Sequence, residues 1–585
     1  MDGAELQKQK AEWLKKEVKR KAAHRRERRY LQGLEVRLES LDASLADDSD
    51  DAASKNLINA TPLSVSTSHS SQVFVGTLDS SPTSGCGGTR TDSTRSCSTP
   101  PPGQPSECPV MPNVNLQAKL FPEHEAHSTM MYLDYVFPFL FPYYRPSFVD
   151  VGRGWLLVLL TKNKALFHSA LSLAGYFYGI VLGTMHDAPT KCQTVNSGTL
   201  HEQQGLALQW LRHEMQDIIT RGVKGNLAEA NRVMASIVQL MTCDVAIAKP
   251  GNWTMHLDAA AELFNEIMKH HAITEAGHPC FMLVLLHLGS TPFSWTPKYH
   301  PWGSDQAILR FFTAQLIFCD TLGSTALRHP PRLLQWHPHL LTPLDEELMK
   351  QMPAASEKEQ VTPHINLREF VGVENWVIVS IGEIATLDAW KHEMKRTGSL
   401  SVSELVTRAA TIEQRLRSSL IALEEASLKQ GGTGPADGPQ HILQYFAGTF
   451  TPQLMHGTKL NTQIWAHAAL TYLGVVLSGW QPSSPEIQNS VAQTIELLLS
   501  LPSPDCLRTV VWPLTVTGCL ANQDQEQIFR DLVAGMGPLK VFGTVRESLE
   551  IMEKVWECRA QIDDYPDQWD MATCLNCLGR PALLI

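Results

Sequence analysis

The side chains best suited to chemistry in this sequence are a pair of thiols, scattered imidazoles and one dense group of cations. Cys574 and Cys577 in CLNC have the C-x-x-C spacing shared by half a structural zinc site and by redox dithiols. Zinc needs further cysteine or histidine ligands, and a redox pair needs a helix opening off a thioredoxin-like sheet. The neighbouring sequence offers neither, so packing near the C-terminus is the expected role. His124 and His127 in EHEAH stand at helical i, i+3 spacing, and His337 and His339 flank Pro338, but neither pair has a third ligand or an H-E-x-x-H arrangement. Both pairs read as solvated or core histidines, and no metal ligand is assigned. Phosphate-loop, dinucleotide and nucleophile-elbow patterns are missing. SGCGGT is glycine-rich, but no helix follows to hold an anion. No catalytic residue can be named, so no enzyme is expected.

The cations are another matter. Lys15, Lys16, Lys19, Arg20, Lys21, Arg25, Arg26, Arg28 and Arg29 face only two glutamates across the same fifteen residues, a local charge of +7 in a chain whose net charge is −11. Affinity for a polyanion is therefore concentrated here, and the acidic remainder repels nucleic acid. The chemistry on offer is phosphate contact without base reading, together with recognition as a nuclear localisation signal. The plain alternative is a solvated helix face. Directly after the cations, Leu31, Leu34, Leu38, Leu41 and Leu45 recur at spacings of 3, 4, 3 and 4, an a/d dimerisation seam of about two heptads. A seam so short is weak alone, and an amphipathic helix docking on its own protein is the competing reading.

These groups must be positioned by the rest of the 585-residue chain, which is 43% apolar and 19% charged, as a soluble globular protein of more than one unit would be. Residues 1–45 read as a basic helix with short leucine heptads. Residues 46–115, rich in Ser, Thr, Pro and Gly, cannot bury enough apolar surface to offset chain entropy and read as a disordered linker. Residues 116–585 read as all-α, with flexible breaks near 353–363 and 429–440. Apolar stripes at helical spacing include Leu206, Trp210, Leu211, Met215 and Ile218, and also Ile487, Val491, Ile495 and Leu498. A third comprises Val545, Leu549, Met552 and Trp556, with Thr544 and Glu547 in capping-box positions. Ala165 to Gly183 has about the length of a membrane span but carries His168, Ser169 and Ser172, so a buried core helix and no membrane are expected. The N-terminus is charged and has no apolar signal region, and the cysteines suggest no disulfide framework, so the chain reads as intracellular.

Several ordered stretches resemble the regulatory domain of fungal-specific transcription factors of the six-cysteine zinc cluster type. They are YLDYVFPFLFPYYRP, GRGWLLVLL, ALFHSALSLAGY, NWTMHLDAAAELF, FFTAQLIFCDTLGSTALRHPPRL, ENWVIVSIGEIATLDAWK, VVWPLTVTGCLA and the closing GTVRESLEIMEKVWECR with QWDMATCLNCLGRPALLI. AAHRRERRYLQGLEVRLESLD is similar to the linker that follows the zinc cluster in that family. The six-cysteine DNA reader itself is absent, since the first cysteine is Cys86. The resemblance implies a nuclear transcriptional regulator controlling a metabolic or secondary-metabolite gene set through partners or a bound metabolite. Zinc is expected only if an upstream six-cysteine cluster exists, and no other cofactor is expected. The implied partners are DNA, through the basic N-terminus or the missing zinc cluster, a homodimer or a related factor as heterodimer, and the transcription machinery. Three alternatives stay open: a co-regulator that does not bind DNA and acts by heterodimerisation, a basic leucine zipper-like DNA binder, and a metabolite-binding or enzymatic helical domain. Against the zipper, Arg20 stands where an Asn is usual, and the later arginines are two residues short of the usual spacing.

Overall fold

The computed structural model describes residues 123–146, 152–185, 191–247, 253–274, 277–289, 302–342, 364–430, 452–541, 543–559 and 569–585. The basic segment, the leucine ladder, the 46–115 linker and the break at 353–363 lie outside these residues. The break expected at 429–440 begins where a helix ends at Gln430 and otherwise lies outside them too.

The chain enters through an aromatic hook: α1 (Glu123–Met131), a π-helical turn (Tyr132–Val136) and α2 (Phe137–Leu140). Pro138 explains the π turn, because it lacks an N–H and its ring would clash with the carbonyl one turn back; widening that turn relieves the clash. Next come α3 (Gly154–Lys162), α4 (Lys164–Met185), α5 (Lys191–Arg221), α6 (Leu227–Ala246), α7 (Trp253–His271), α8 (Phe281–His287) and α9 (Ser304–Leu327). After a 3-10 turn (Leu334–Trp336) follow α10 (His337–Leu340), α11 (Leu367–Val371), α12 (Asn375–Arg396), α13 (Val402–Gln430), α14 (Pro452–Ser478) and α15 (Pro485–Leu499). A second 3-10 turn (Pro504–Thr509) leads to α16 (Val511–Cys519), α17 (Gln523–Gly535), α18 (Val545–Glu557) and α19 (Met571–Leu575). The described residues are all-α; their sole β pairing is the isolated bridge Ile273–Pro279.

Everything is arranged around α9. From Gln306 to Ala326 every residue except Arg310 is buried, and the helix packs against α3, α6, α7, α11, α12 and α19. A helix apolar on nearly all sides has no stable place except the interior. The hook docks on it through rings: Phe311 lies 5.4 Å from Phe137 and 5.0 Å from Phe141, α3 adds Trp155 at 5.3 Å, and Tyr144 just after the hook stacks on Phe370 of α11 at 5.4 Å. Each such pair adds about 0.5–1.5 kcal/mol beyond burial. The aromatic hook motif is thus a packing device.

Ile487, Val491, Ile495 and Leu498 are buried as their spacing predicts, below the Ser484 cap whose hydroxyl accepts from the Ile487 N–H at 3.3 Å. The Ala165–Gly183 segment lies within α4, which packs against α5 and α6, and no helix among the described residues is long and apolar enough to cross a membrane. Two expectations are corrected. Trp210 is exposed and Leu206 half-buried, so the stripe on α5 narrows to Leu211, Met215 and Ile218 with Ala207 and Leu208. The Thr544–Glu547 capping box does not form, and Leu549 is half-buried. Thr544 instead donates to the Ile585 carbonyl at 3.2 Å, and Glu547 pairs with Arg580 at 2.9 Å. A tertiary partner, the returning C-terminal segment, outcompetes the local cap.

Gly323 lets α7 approach α9: a Cβ there would lie 2.9 Å from the Trp253 ring and 3.2 Å from Leu257. Gly323→Ala is expected to destabilise the protein by about 1–3 kcal/mol. Gly175→Ala, whose Cβ would meet nothing within 4 Å, should be neutral or slightly stabilising. Thermal unfolding of the two variants checks this, and equal midpoints would remove the close-approach account.

Candidate functional site

The returning C-terminus and the end of α9 create a polar cleft. Arg328 terminates α9 in the left-handed region (φ 56°), the sole non-glycine with positive φ among the described residues. That conformation is costly for a residue with a Cβ. It is held by side-chain bonds: Arg328 donates to Asp570 Oδ1 at 2.5 Å and to the Thr573 hydroxyl at 2.8 Å. Asp570 in turn caps α19 by accepting from the Thr573 N–H at 2.8 Å. Burial alone would raise the Asp570 carboxyl, but the bonds from Arg328 and Thr573 outweigh it and hold the group below the usual range.

The floor of the cleft is a second acid. Asp388 on α12 is buried and accepts from the Tyr472 hydroxyl on α14 at 3.1 Å. Burial, reinforced by the nearby Asp570 charge, pushes Asp388 up to about 6 against the opposing Tyr472 bond and the Lys391 and Arg328 charges. Lys391 Nζ donates to the Val476 carbonyl at 2.5 Å, while His392 and Lys395 stand exposed on the rim. With Trp480 and Trp569 the walls enclose about 570 Å³. The cations Arg328, Lys391 and Lys395 and the carboxyls of Asp388 and Asp570 line this space together, an arrangement suited to binding a polar ligand.

A second, apolar cavity of about 100 Å³ lies between α2, α6, α9, α11, α14, α16 and the segment Leu584–Ile585. Its polar lining includes Gln315 and Arg508. The Arg508 guanidinium sits 4.0 Å over the Phe139 ring and donates to the Asp505 carbonyl at 3.1 Å. Burial lowers it to about 10.

The residues singled out in the sequence fall in different places. The nine cations and five leucines lie outside the described residues. His124 and His127 are exposed on α1. His337 is buried with both ring nitrogens unpartnered, and burial pushes it down to about 4; His339 is half-exposed. Cys574 is buried beside Cys519, and Cys577 is half-buried with its thiol 3.8 Å from the Ile551 carbonyl. Burial raises both thiols, Cys577 to about 12, so they stay protonated and unreactive. Among the described residues no group of three or more His, Cys, Asp or Glu could hold a metal, so the zinc of the resembled family finds no ligand set there. Asp388, Tyr472, Arg328, Asp570, Gln315 and Arg508 were missed. A signal for Asp388 existed: it continues the buried stripe Val377, Ile381, Ile384 and Ala385 at helical spacing, where an acid must find a partner.

A family model described as "Fungal specific transcription factor domain" matches residues 128–585. Among curated proteins the chain is similar to transcription factor dibT of Pestalotiopsis microspora, 38% identical over 463 residues, 78% of this chain and 70% of that protein. It is similar to a trichothecene biosynthesis transcription regulator of Trichoderma arundinaceum, 28% identical over 480 residues, 79% of this chain and 98% of that protein. It is also similar to the ustiloxin B cluster transcription factor of Aspergillus flavus, 26% identical over 422 residues, 70% of this chain and 63% of that protein. No solved structure matches. The family and these relatives are named for transcription, not for an enzymatic activity.

The raised Asp388 pKa carries a testable sign. The folded protein holds this proton up to about pH 6, whereas the unfolded chain releases it near the ordinary aspartate value of 3.8. Its contribution to stability is therefore full below pH 3.8 and is lost as pH rises through about 6. Asp388→Asn never ionises, so its stability relative to wild type should climb by about 2–3 kcal/mol between pH 4 and 7. Denaturation across that range checks it; parallel curves for the two proteins would show that Asp388 titrates normally.

Proposed function

The chain belongs to the fungal-specific transcription factor family and is a transcriptional regulator, and from that premise we propose that it works in the nucleus on a secondary-metabolite gene set. The observation that supports the target class is the naming of relatives after biosynthesis and gene clusters, the trichothecene and ustiloxin B regulators above. In this reading the helical domain of residues 128–585 is the regulatory portion. Lys15, Lys16, Lys19, Arg20, Lys21, Arg25, Arg26, Arg28 and Arg29 serve import and phosphate contact, and Leu31, Leu34, Leu38, Leu41 and Leu45 hold a dimer. Zinc enters only with an upstream six-cysteine cluster.

A second reading, a co-regulator that borrows its DNA reader from a heterodimer partner, has its own support. The trichothecene regulator is matched over 98% of its length by 79% of this chain. Nearly all of a named regulator is therefore comparable to this chain, in which no six-cysteine pattern occurs.

Deleting the gene and measuring transcripts genome-wide tests the first reading: a contiguous biosynthetic gene set should change expression, and an unchanged profile would sink the proposal. DNA binding by the purified chain separates the two. Phosphate contact by the basic segment predicts affinity without sequence preference, falling about 10³- to 10⁵-fold between 50 and 200 mM salt if six to ten phosphates are engaged. A sequence-specific footprint by this chain alone would overturn the co-regulator reading.

A further inference from the structure

The apolar cavity is lined by two polar side chains whose hydrogen-bonding capacity the fold leaves partly unused. Gln315 lies on α9 between Phe311 and Phe318 at i, i+4, i+7 spacing and is only 5% exposed. Its amide nitrogen is buried without a hydrogen-bond partner. Another buried polar side chain near the start of this helix, Gln306, is fully used: it donates to the Leu285 and Gly289 carbonyls and accepts from the Gly303 N–H. An orphaned buried donor costs free energy unless a water or a ligand supplies the acceptor. Arg508 is the second group. It lines the same cavity and makes no ion pair with a carboxylate among the described residues; its one hydrogen bond there is to a backbone carbonyl, and its guanidinium face rests on Phe139. An arginine fork presents five donors, so most remain for a planar acceptor. The rest of the lining is largely aromatic and aliphatic, with Phe318, Phe370 and Trp465 prominent.

An acceptor with negative charge, attached to an apolar body, satisfies all three features. We propose that this cavity binds a small organic carboxylate with a single ring or a short branched chain, its carboxylate held by Arg508 and a ligand oxygen accepting from the Gln315 amide. The volume of about 100 Å³ sets the size. It is of the order of the ~150 Å³ cavity that takes up benzene in an engineered protein core. Trp465 stacks on Trp512 at 5.7 Å, which holds the aromatic wall in place before a ligand arrives. The binding site is distinct from the polar cleft, which shares none of its lining residues. It does not depend on which genes the protein controls, so its failure and the failure of the regulatory reading are separable.

The test is titration of the purified full chain with benzoate, phenylacetate and 3-methylbutanoate, with toluene and benzamide as uncharged counterparts, read by calorimetry and by thermal midpoint. At least one carboxylate should bind saturably and raise the midpoint, and the uncharged compounds should bind more weakly. Arg508→Gln should weaken the carboxylate about 10- to 100-fold, since a charge-assisted bond is lost, while Arg508→Lys should recover part of the affinity. Gln315→Leu separates binding from folding. It should raise the midpoint of the free protein, because the orphaned amide is gone, and weaken the carboxylate. Binding of toluene as tightly as benzoate would reduce the site to an apolar void and overturn the assignment. So would carboxylate affinity unchanged in both variants, or no stabilisation by any of the three acids.

Discussion

The fold depends on placing one helix, α9, entirely in the interior. Burying apolar side chains on all its faces is favourable at about 25 cal/mol per Å², but the polar groups carried inside must then find partners within the protein. Asp320, fully buried on α9, shows how strictly this acts. Its carboxylate accepts from the Leu333 N–H at 2.8 Å and faces Arg332 at 3.5 Å, and Arg332 also pairs with Asp258 of α7. Burial raises the Asp320 carboxyl, and these bonds and the Arg332 charge oppose the rise. The Pro-Arg turn after α9 is therefore fixed by a buried acid about two helix turns before the end of α9, and with it the course of the chain into α10.

The same constraint explains the long return of the C-terminal segment. The upper end of α9 needs a cover, and residues 569–585 supply it: Asn576 donates to the Ala326 carbonyl, Trp253 donates to the Pro581 carbonyl, and Arg328 holds Asp570. These bonds join positions roughly 240 to 330 residues apart in sequence, so each closes a long loop whose entropy cost the packing of the domain must offset. The polar cleft and the apolar cavity both border this returning segment. The polar cleft uses Trp569 to Thr573, and the apolar cavity uses Leu584 and Ile585. A change at either space is thus a change at the closure of the whole domain.

Helix content and the buried stripes were legible because they are local: a 3.6-residue period in side-chain polarity states which face goes inward, as for Ile487, Val491, Ile495 and Leu498. The family was legible because its ordered motifs are mostly packing motifs, the aromatic hook against Phe311 and the glycine in α9 against Trp253. The reading went astray where a distant partner competed with a local rule. Thr544 and Glu547 satisfy the capping-box pattern, but Ile585 and Arg580 take their side chains. Trp210 continues an apolar stripe but stays 39% exposed, its ring edge to face with His213 of the same helix.

By itself, then, the sequence determined the all-α character of the described residues, the family, and the charged and leucine-rich groups near its N-terminus, since each is written in composition or in spacing along one stretch of chain. Tertiary structure alone decided which polar side chains become special. Asp388 and Tyr472 sit 84 positions apart, Arg328 and Asp570 sit 242 apart, and Gln315 meets Arg508 only across a shared cavity. No local period encodes such meetings, because burial and partnership are properties of the packed chain and not of the segment.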